Sequence, residues 1–236
     1  MSGDPPALEL DGVNSYYGES HVLRGVDLTV EKGENVALVG RNGVGKTTTL
    51  RSILGLTPPR EGTVRLHGED VTGMEAHEIA RRGVGWVPEE RRMFGHLSVE
   101  ENLRVATPPD SDVNARVEEA LDAFPALREH RTRDAGDLSG GQQQMVSIAR
   151  ALVGDNDLLL VDEPSEGLAP LIVEEVVDAL GTLADDVTLL LVEQNFPLAM
   201  DLTDRFYLLD HGEVVESGQS GAVARDDETI RRYLSA

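Results

Sequence analysis

Gly40-Arg41-Asn42-Gly43-Val44-Gly45-Lys46-Thr47 has the spacing G-x-x-x-x-G-K-[ST], in which main-chain amides wrap a phosphate. Before it, Asn35–Val39 is a short apolar run like a buried strand; after it, residues 46–54 read as a helix. The three glycines let the backbone curl so that successive N–H groups converge on a β-phosphate. The helix behind them adds the positive end of its dipole. Lys46 can bridge β- and γ-phosphate oxygens, and the Thr47 hydroxyl can bind Mg²⁺. The expected nucleotide-binding set is therefore Gly40, Arg41, Asn42, Gly43, Val44, Gly45, Lys46, Thr47 and Thr48, with ATP and Mg²⁺ as the ligands.

Two later segments sharpen this. Asp162 ends the apolar run 158–161, where a metal bound at the phosphate loop would need a carboxylate, and Glu163 follows at once. A carboxylate turning toward the γ-phosphate suits a general base acting on water; adjacent acids at a strand end are otherwise simply solvated. Leu138-Ser139-Gly140-Gly141-Gln142 is a glycine-rich helix start and so a second anion site. One subunit already has its own phosphate cradle, so the second points to a triphosphate held by a partner, ordinary helix capping being the alternative.

Composition bounds the setting. The 236 residues are 40% hydrophobic, enough for a core within a single domain spanning 1–236. There are 43 acidic against 21 basic groups, a formal charge of −22, and Lys32 and Lys46 are the only lysines. Acidic residues scattered from Asp4 to Glu228 resemble a halophile's surface, adapted to a salty cytosol. The same charge opposes nucleic-acid binding, which needs basic patches. No apolar run is long enough to span a bilayer and residues 1–10 lack a signal-peptide layout, so a cytoplasmic chain, peripheral on the inner face of the membrane, is expected. Cysteine is absent, which excludes disulfides and thiolate metal sites.

Residues 8–13 and 22–30 alternate as half-buried antiparallel strands do; residues 63–66, 83–87, 158–161 and 187–192 are further strands. Residues 90–137 read as an inserted helical lobe: Ser98 and Glu101 form a capping box, and Val113, Val117, Leu121 and Phe124 recur at helical spacing. Ser139 caps a helix carrying Met145, Ile148, Ala149 and Leu152 on one face, and residues 171–183 form another. Residues 205–209 and 214–217 make a hairpin over Asp210-His211-Gly212, and a short helix is expected near residues 228–234.

From end to end the chain resembles an ATP-binding-cassette (ABC) ATPase, and its finer motifs resemble the ATPase subunits of branched-chain amino-acid importers. Those motifs are Val87-Pro88-Glu89, Arg91-Arg92-Met93-Phe94, His96-Leu97-Ser98-Val99 with Glu100-Glu101-Asn102-Leu103, Ser165-Glu166-Gly167-Leu168-Ala169-Pro170, and Val192-Glu193-Gln194-Asn195. The resemblance implies an α/β fold, a P-loop NTPase core of ABC type with an antiparallel β subdomain and an inserted helical lobe. It implies a head-to-tail dimer with a homologous ATPase subunit, in which Leu138, Ser139, Gly140, Gly141 and Gln142 close on the partner's ATP. It also implies two transmembrane permease subunits, docked at the helical lobe and the segment 89–94, and a separate substrate-binding protein. Tyr17, before Gly18, would stack on adenine, with adjacent Tyr16 as the alternative.

Three positions depart from the general cassette pattern. Glu89 stands where most cassettes have a glutamine that contacts Mg²⁺, Ala169 where many have aspartate, and Gln194 where a histidine switch is usual. Gln194 can hydrogen-bond a γ-phosphate but cannot carry a proton at neutral pH, so Glu163 must act as base alone. Glu89 offers Mg²⁺ a charged oxygen, or else faces water. Three other functions are weighed beside amino-acid import: a urea or short-amide importer, a soluble cassette acting on DNA or ribosomes, and a cassette that binds ATP without hydrolysing it.

Overall fold

Every residue of Leu158–Asp162 (β7) and of Thr188–Glu193 (β8) is buried. Such strands need covering on both faces, as in the interior of a parallel sheet. The computed structural model describes residues 4–184 and 187–222 and places them there. Strands Asn35–Val39 (β3), Val84–Val87 (β6), Arg205–Asp210 (β9) and Glu213–Gln219 (β10) complete a six-stranded sheet of order β10-β9-β3-β8-β7-β6. Its neighbours pair in parallel except β10, which returns antiparallel on β9. A smaller antiparallel sheet, of order β2-β1-β4-β5, is built from Leu8–Tyr17 (β1), Ser20–Val30 (β2), Glu61–Leu66 (β4) and Glu69–Asp70 (β5).

The pleat sorts the core into two clusters. Ala37 and Val39, Leu159 and Val161, and Leu189 and Leu191 belong to one. Val36 and Leu38, Leu158 and Leu160, and Leu190 and Val192 belong to the other. Successive side chains point to opposite faces, so each central strand feeds both sides. Each fully buried Leu or Val contributes about 1.5–3 kcal/mol.

The first face is covered by helices Val99–Ala106 (α3), Val113–Ala123 (α4), Pro125–Arg128 (α5), Gly140–Leu152 (α6), Pro170–Ala184 (α7) and Phe196–Leu202 (α8), through residues such as Leu103, Leu121, Leu127, Ile148, Val176 and Ala199. The second packs against the antiparallel sheet and the helices Lys46–Ile53 (α1) and Ala76–Ala80 (α2), through Leu10, Leu28, Leu50, Ile53 and Ile79. Residues 90–137 thus carry α3, α4 and α5, whose apolar faces join the same cluster as α6.

Two devices hold α3 in place. Ser98 and Glu101 form the expected reciprocal capping box. Fully buried Asn102 accepts the Phe94 N–H at 2.9 Å and directs its amide to the Phe94, Leu97 and Ser98 carbonyls at 3.0–3.2 Å. Together they tie the loop after β6 to the helix.

Some elements differ from the sequence pattern for identifiable reasons. β1 continues to Tyr17 past the end of its alternation, because bulges between Leu10 and Tyr16 shift the register there. α2 is too short to display a helical period. α8 starts at Phe196-Pro197 under an Asn195 cap, a signal present in the sequence. The helix expected near residues 228–234 lies outside the described residues.

Replacing Asn102 with alanine takes the acceptor from the Phe94 N–H and removes the amide's bonds to three carbonyls. The expected loss is about 1–3 kcal/mol of stability, read from denaturant unfolding of the two proteins.

Candidate functional site

In a parallel sheet the carboxyl ends of the strands form one edge, and ligands bind in the crevice outside it. Val39 pairs with Glu193 and Asp162 with Val192. The loop after β3, the acids ending β7 and the segment after β8 therefore leave the sheet at one edge.

The phosphate loop runs from Gly40 to Gly45 and turns into α1. Gly43 (φ 80°) and Gly45 (φ 117°) lie in the left-handed region. A Cβ at Gly40 would collide with the Leu209 carbonyl. Gly45 is the helix N-cap and supplies no side-chain acceptor, so amides of the first turn remain available to an anion.

Lys46 is only 3% exposed. Its Nζ donates to the carbonyl oxygens of Gly40 (2.8 Å) and Arg41 (3.0 Å) and pairs with Glu163 Oε1 at 2.9 Å. Beside it the Thr47 hydroxyl donates to Asp162 Oδ1 at 3.3 Å. Asp162 is 1% exposed, and burial pushes its carboxyl up to about 6, reinforced by the charges of Glu163 and Glu89 and opposed by the Thr47 hydrogen bond and Lys46.

Glu163 has φ 45°, a strained value for a side-chain-bearing residue, and its N–H donates to the Val192 carbonyl at 2.9 Å. Burial disfavours its charge, but hydrogen bonds from Glu166 and Lys46 hold its carboxyl below the usual range. Glu166 shares a hydrogen bond with Glu163, and that bond together with partial burial pushes it up to about 7. A cavity of about 280 Å³ opens beside them, lined by Glu163, Ser165, Glu166, Glu193, Gln194 and Asn195. Gln194 is thus brought to the same opening as Glu163.

Around Lys46 a small cavity of about 120 Å³ is lined by Val22, Gly43, Gly45, Thr47, Thr48 and Glu163. It adjoins a wider cleft of about 550 Å³ that also contains Val22 and Gly43 and extends to His21, Arg24 and His211. Val22 was missed by sequence reasoning; its place five residues after Tyr17 carries no chemical signal of its own. Tyr17 is 45% exposed, and its hydroxyl lies 3.3 Å from Thr57 Oγ1 and 3.5 Å from Arg51 Nη1, on the α1 side of the site. The Tyr16 ring is instead engaged by His21, stacked at 4.2 Å, and by Arg60 at 4.4 Å. Glu89 is exposed, and its charge also helps raise Glu166.

The segment Leu138–Gln142 lines neither cavity around the phosphate loop. Ser139 and Gln142 close a capping box at the start of α6, and the Arg91 guanidinium lies against Gly140 while donating to the Glu166 carbonyl at 3.3 Å. The glycine loop before α1 and the capped start of α6 are therefore separate in this structure.

The sequence model describing ABC transporters matches residues 23–166, which contain the phosphate loop, the second helix start and both acids. The chain belongs to the ABC transporter family. It is 40% identical over 231 residues to the high-affinity branched-chain amino acid transport ATP-binding protein BraG of Pseudomonas aeruginosa, covering 96% of this chain and 99% of that one. It is also 40% identical over 220 residues to the probable branched-chain amino acid transport ATP-binding protein LivF of Archaeoglobus fulgidus, covering 92% and 93%. Among solved structures, it resembles the dimeric post-hydrolysis state of an ATP-binding cassette bound to ADP and Pi, with a TM-score of 0.80 and 27% identity, covering 90% of this chain and 98% of that one. The fold is that of the ABC ATPase cassettes, and the expected α/β nucleotide-binding architecture is the one observed.

Lys46→Ala removes the cation that meets Glu163 and the loop carbonyls. ATP affinity should fall roughly 10–100-fold, the worth of about 1.5–3 kcal/mol for hydrogen bonds to a charged group, measured by titration with a fluorescent ATP analogue.

Proposed function

We propose that this chain is the ATP-hydrolysing subunit of an importer for branched-chain or related amino acids, working from the cytosolic face of the membrane. The observation that carries the reading is the meeting of Lys46, Thr47, Asp162 and Glu163 at one edge of the parallel sheet. The names of its two 40%-identical relatives support the substrate class.

The chemistry follows from the donors present. A triphosphate competes with Glu163 for the Lys46 ammonium and wins by its greater charge and by the loop amides it also engages. Glu163, relieved of that ion pair, accepts the proton of the attacking water, and the Gln194 amide orients water and γ-phosphate. Thr47 and Asp162 place a hydroxyl and a carboxylate oxygen side by side, a hard donor set that fits Mg²⁺, with Glu89 as a third candidate. That ion, when bound, offsets the negative charge building on the phosphates. Tyr17 is the adenine platform, since its ring is free of the His21 and Arg60 contacts that occupy Tyr16. A homologous subunit presents its counterpart of Ser139, Gly140 and Gly141 to the ATP held here, and this chain returns the same contact.

Permease docking is assigned to a groove of about 320 Å³ containing Trp86, Pro88, Arg92, Ala106, Ser147 and Arg150. Trp86 Nε1 and Arg150 Nε are buried there without hydrogen-bond partners, and Phe94 and Val105 are exposed nearby in sequence and on α3. Among the described residues no helix is long and apolar enough to cross a membrane, so separate permeases would supply the spans.

A Glu163→Gln variant should bind ATP with Mg²⁺ normally and lose turnover. In cells carrying the complete transporter, the same variant should abolish uptake of labelled leucine, isoleucine and valine. Uptake of urea in their place would overturn the substrate class, and persistent turnover would overturn the base.

The excess of 43 acidic over 21 basic groups supports a salt-adapted reading. The thermal midpoint should then rise as KCl is increased from about 0.1 M to about 1 M, where the screening length shrinks from roughly 10 to 3 Å. A flat or falling midpoint would argue for an ordinarily acidic protein.

A further inference from the structure

Glu193 has no part in the chemistry described so far, yet it is a carboxylate closing the buried strand β8 after a run of four apolar residues and is only 2% exposed. A buried charge is costly unless its oxygens are satisfied. Here they are met by the Ser165 side chain and by three main-chain donors from two loops. Oε1 accepts the Ser165 N–H at 3.1 Å, and Oε2 accepts the N–H groups of Gln194 and Asn195, each at 3.1 Å.

Ser165 lies two residues after Glu163, and Gln194 directly follows Glu193. The Glu163 N–H also bonds Val192, so the left-handed turn after β7 is fastened to the end of β8 at two consecutive rungs. On the other side Asn195 caps α8 by accepting the Leu198 N–H at 3.3 Å. One carboxylate therefore joins the strained turn that presents Glu163 to the segment that presents Gln194, at the wall of the cavity both share.

We infer that Glu193 is a positioning residue for ATP hydrolysis, a buried clamp that sets Glu163 and Gln194 at a fixed separation across the reaction cavity. It rests on the reading of Glu163 as base. On this reading Glu193 acts through Glu163 and Gln194 and not on the reacting atoms. Its contribution is the geometry of the base, so it should affect the chemical step and leave ATP binding, which depends on Lys46 and the glycine loop, unchanged.

Glu193→Gln is nearly isosteric but sets an amide NH₂ against at least one of the three donors. Turnover of the full chain with Mg²⁺ and ATP should fall about 10–100-fold, the scale of an ångström-level misplacement, while affinity for a fluorescent ATP analogue is retained. The double variant with Glu163→Gln should lose less than the product of the two single losses, because a clamp acting largely through the base has only Gln194 left to position. Glu193→Asp keeps the charge and should recover part of the rate. Assays are run well below each variant's thermal midpoint, so loss of fold and loss of alignment are separated.

Parental turnover in Glu193→Gln would overturn the inference, as would a rate loss that multiplies independently with that of Glu163→Gln, or a loss of ATP affinity equal to the loss of rate. If Glu193→Gln does not fold, Glu193→Asp decides the matter by the same two readouts. If Glu163→Gln itself turns over, it is the base assignment that fails, and this is visible without reference to Glu193.

Discussion

The Lys46 ammonium sits where water scarcely reaches, so its charge must be met by the oxygens of Gly40, Arg41 and Glu163. Those oxygens come from the phosphate loop after β3 and from the end of β7, which are not adjacent strands: β8 lies between them. Holding them within 3.0 Å of one nitrogen requires the three strands to be in register and the loop to be tightly curled. A buried ion pair is weak evidence of stability by itself. Here it keeps both Lys46 and Glu163 out of bulk solvent.

The surrounding carboxylates make this edge of the sheet an unusual concentration of like charge. Asp162, Glu163, Glu166 and Glu193 all lie close to it, in surroundings that shift them unequally. Asp162 is raised by burial, Glu163 is lowered by its hydrogen bonds and Lys46, and Glu166 is raised by sharing a hydrogen bond with Glu163. Glu193 is raised by burial and is held by the Ser165 side chain and by backbone donors. Neighbouring acids with carboxyl pKa values pushed apart can divide metal binding, proton acceptance and positioning among them.

Arg91, at φ 50°, links the loop after β6 to the Glu166 carbonyl and to the start of α6. Asn102 ties that same loop to α3. The region assigned to permease docking is therefore continuous, through side-chain contacts, with the segment that follows Glu163. That continuity is a physical route by which docking and hydrolysis can affect one another.

The motifs around Gly40–Thr47, Leu138–Gln142 and Asp162-Glu163 were legible in the sequence because their chemistry depends on local geometry. A glycine loop must precede its helix, and a strand must end at its acid. The buried strands β3, β7 and β8 were legible because apolar runs bounded by polar residues have few other fates. What the linear pattern could not contain was distance between remote residues. Tyr16 and Tyr17 are chemically alike, and only the placement of His21, Arg60 and α1 tells them apart. Nothing in the order of residues joins Glu193 to Ser165, 28 positions away, whose N–H meets its carboxylate in the fold. Local order was written in residue type and spacing, whereas the pairing of strands brought these groups together, since hydrogen bonds and ion pairs depend on separation in space and not along the chain.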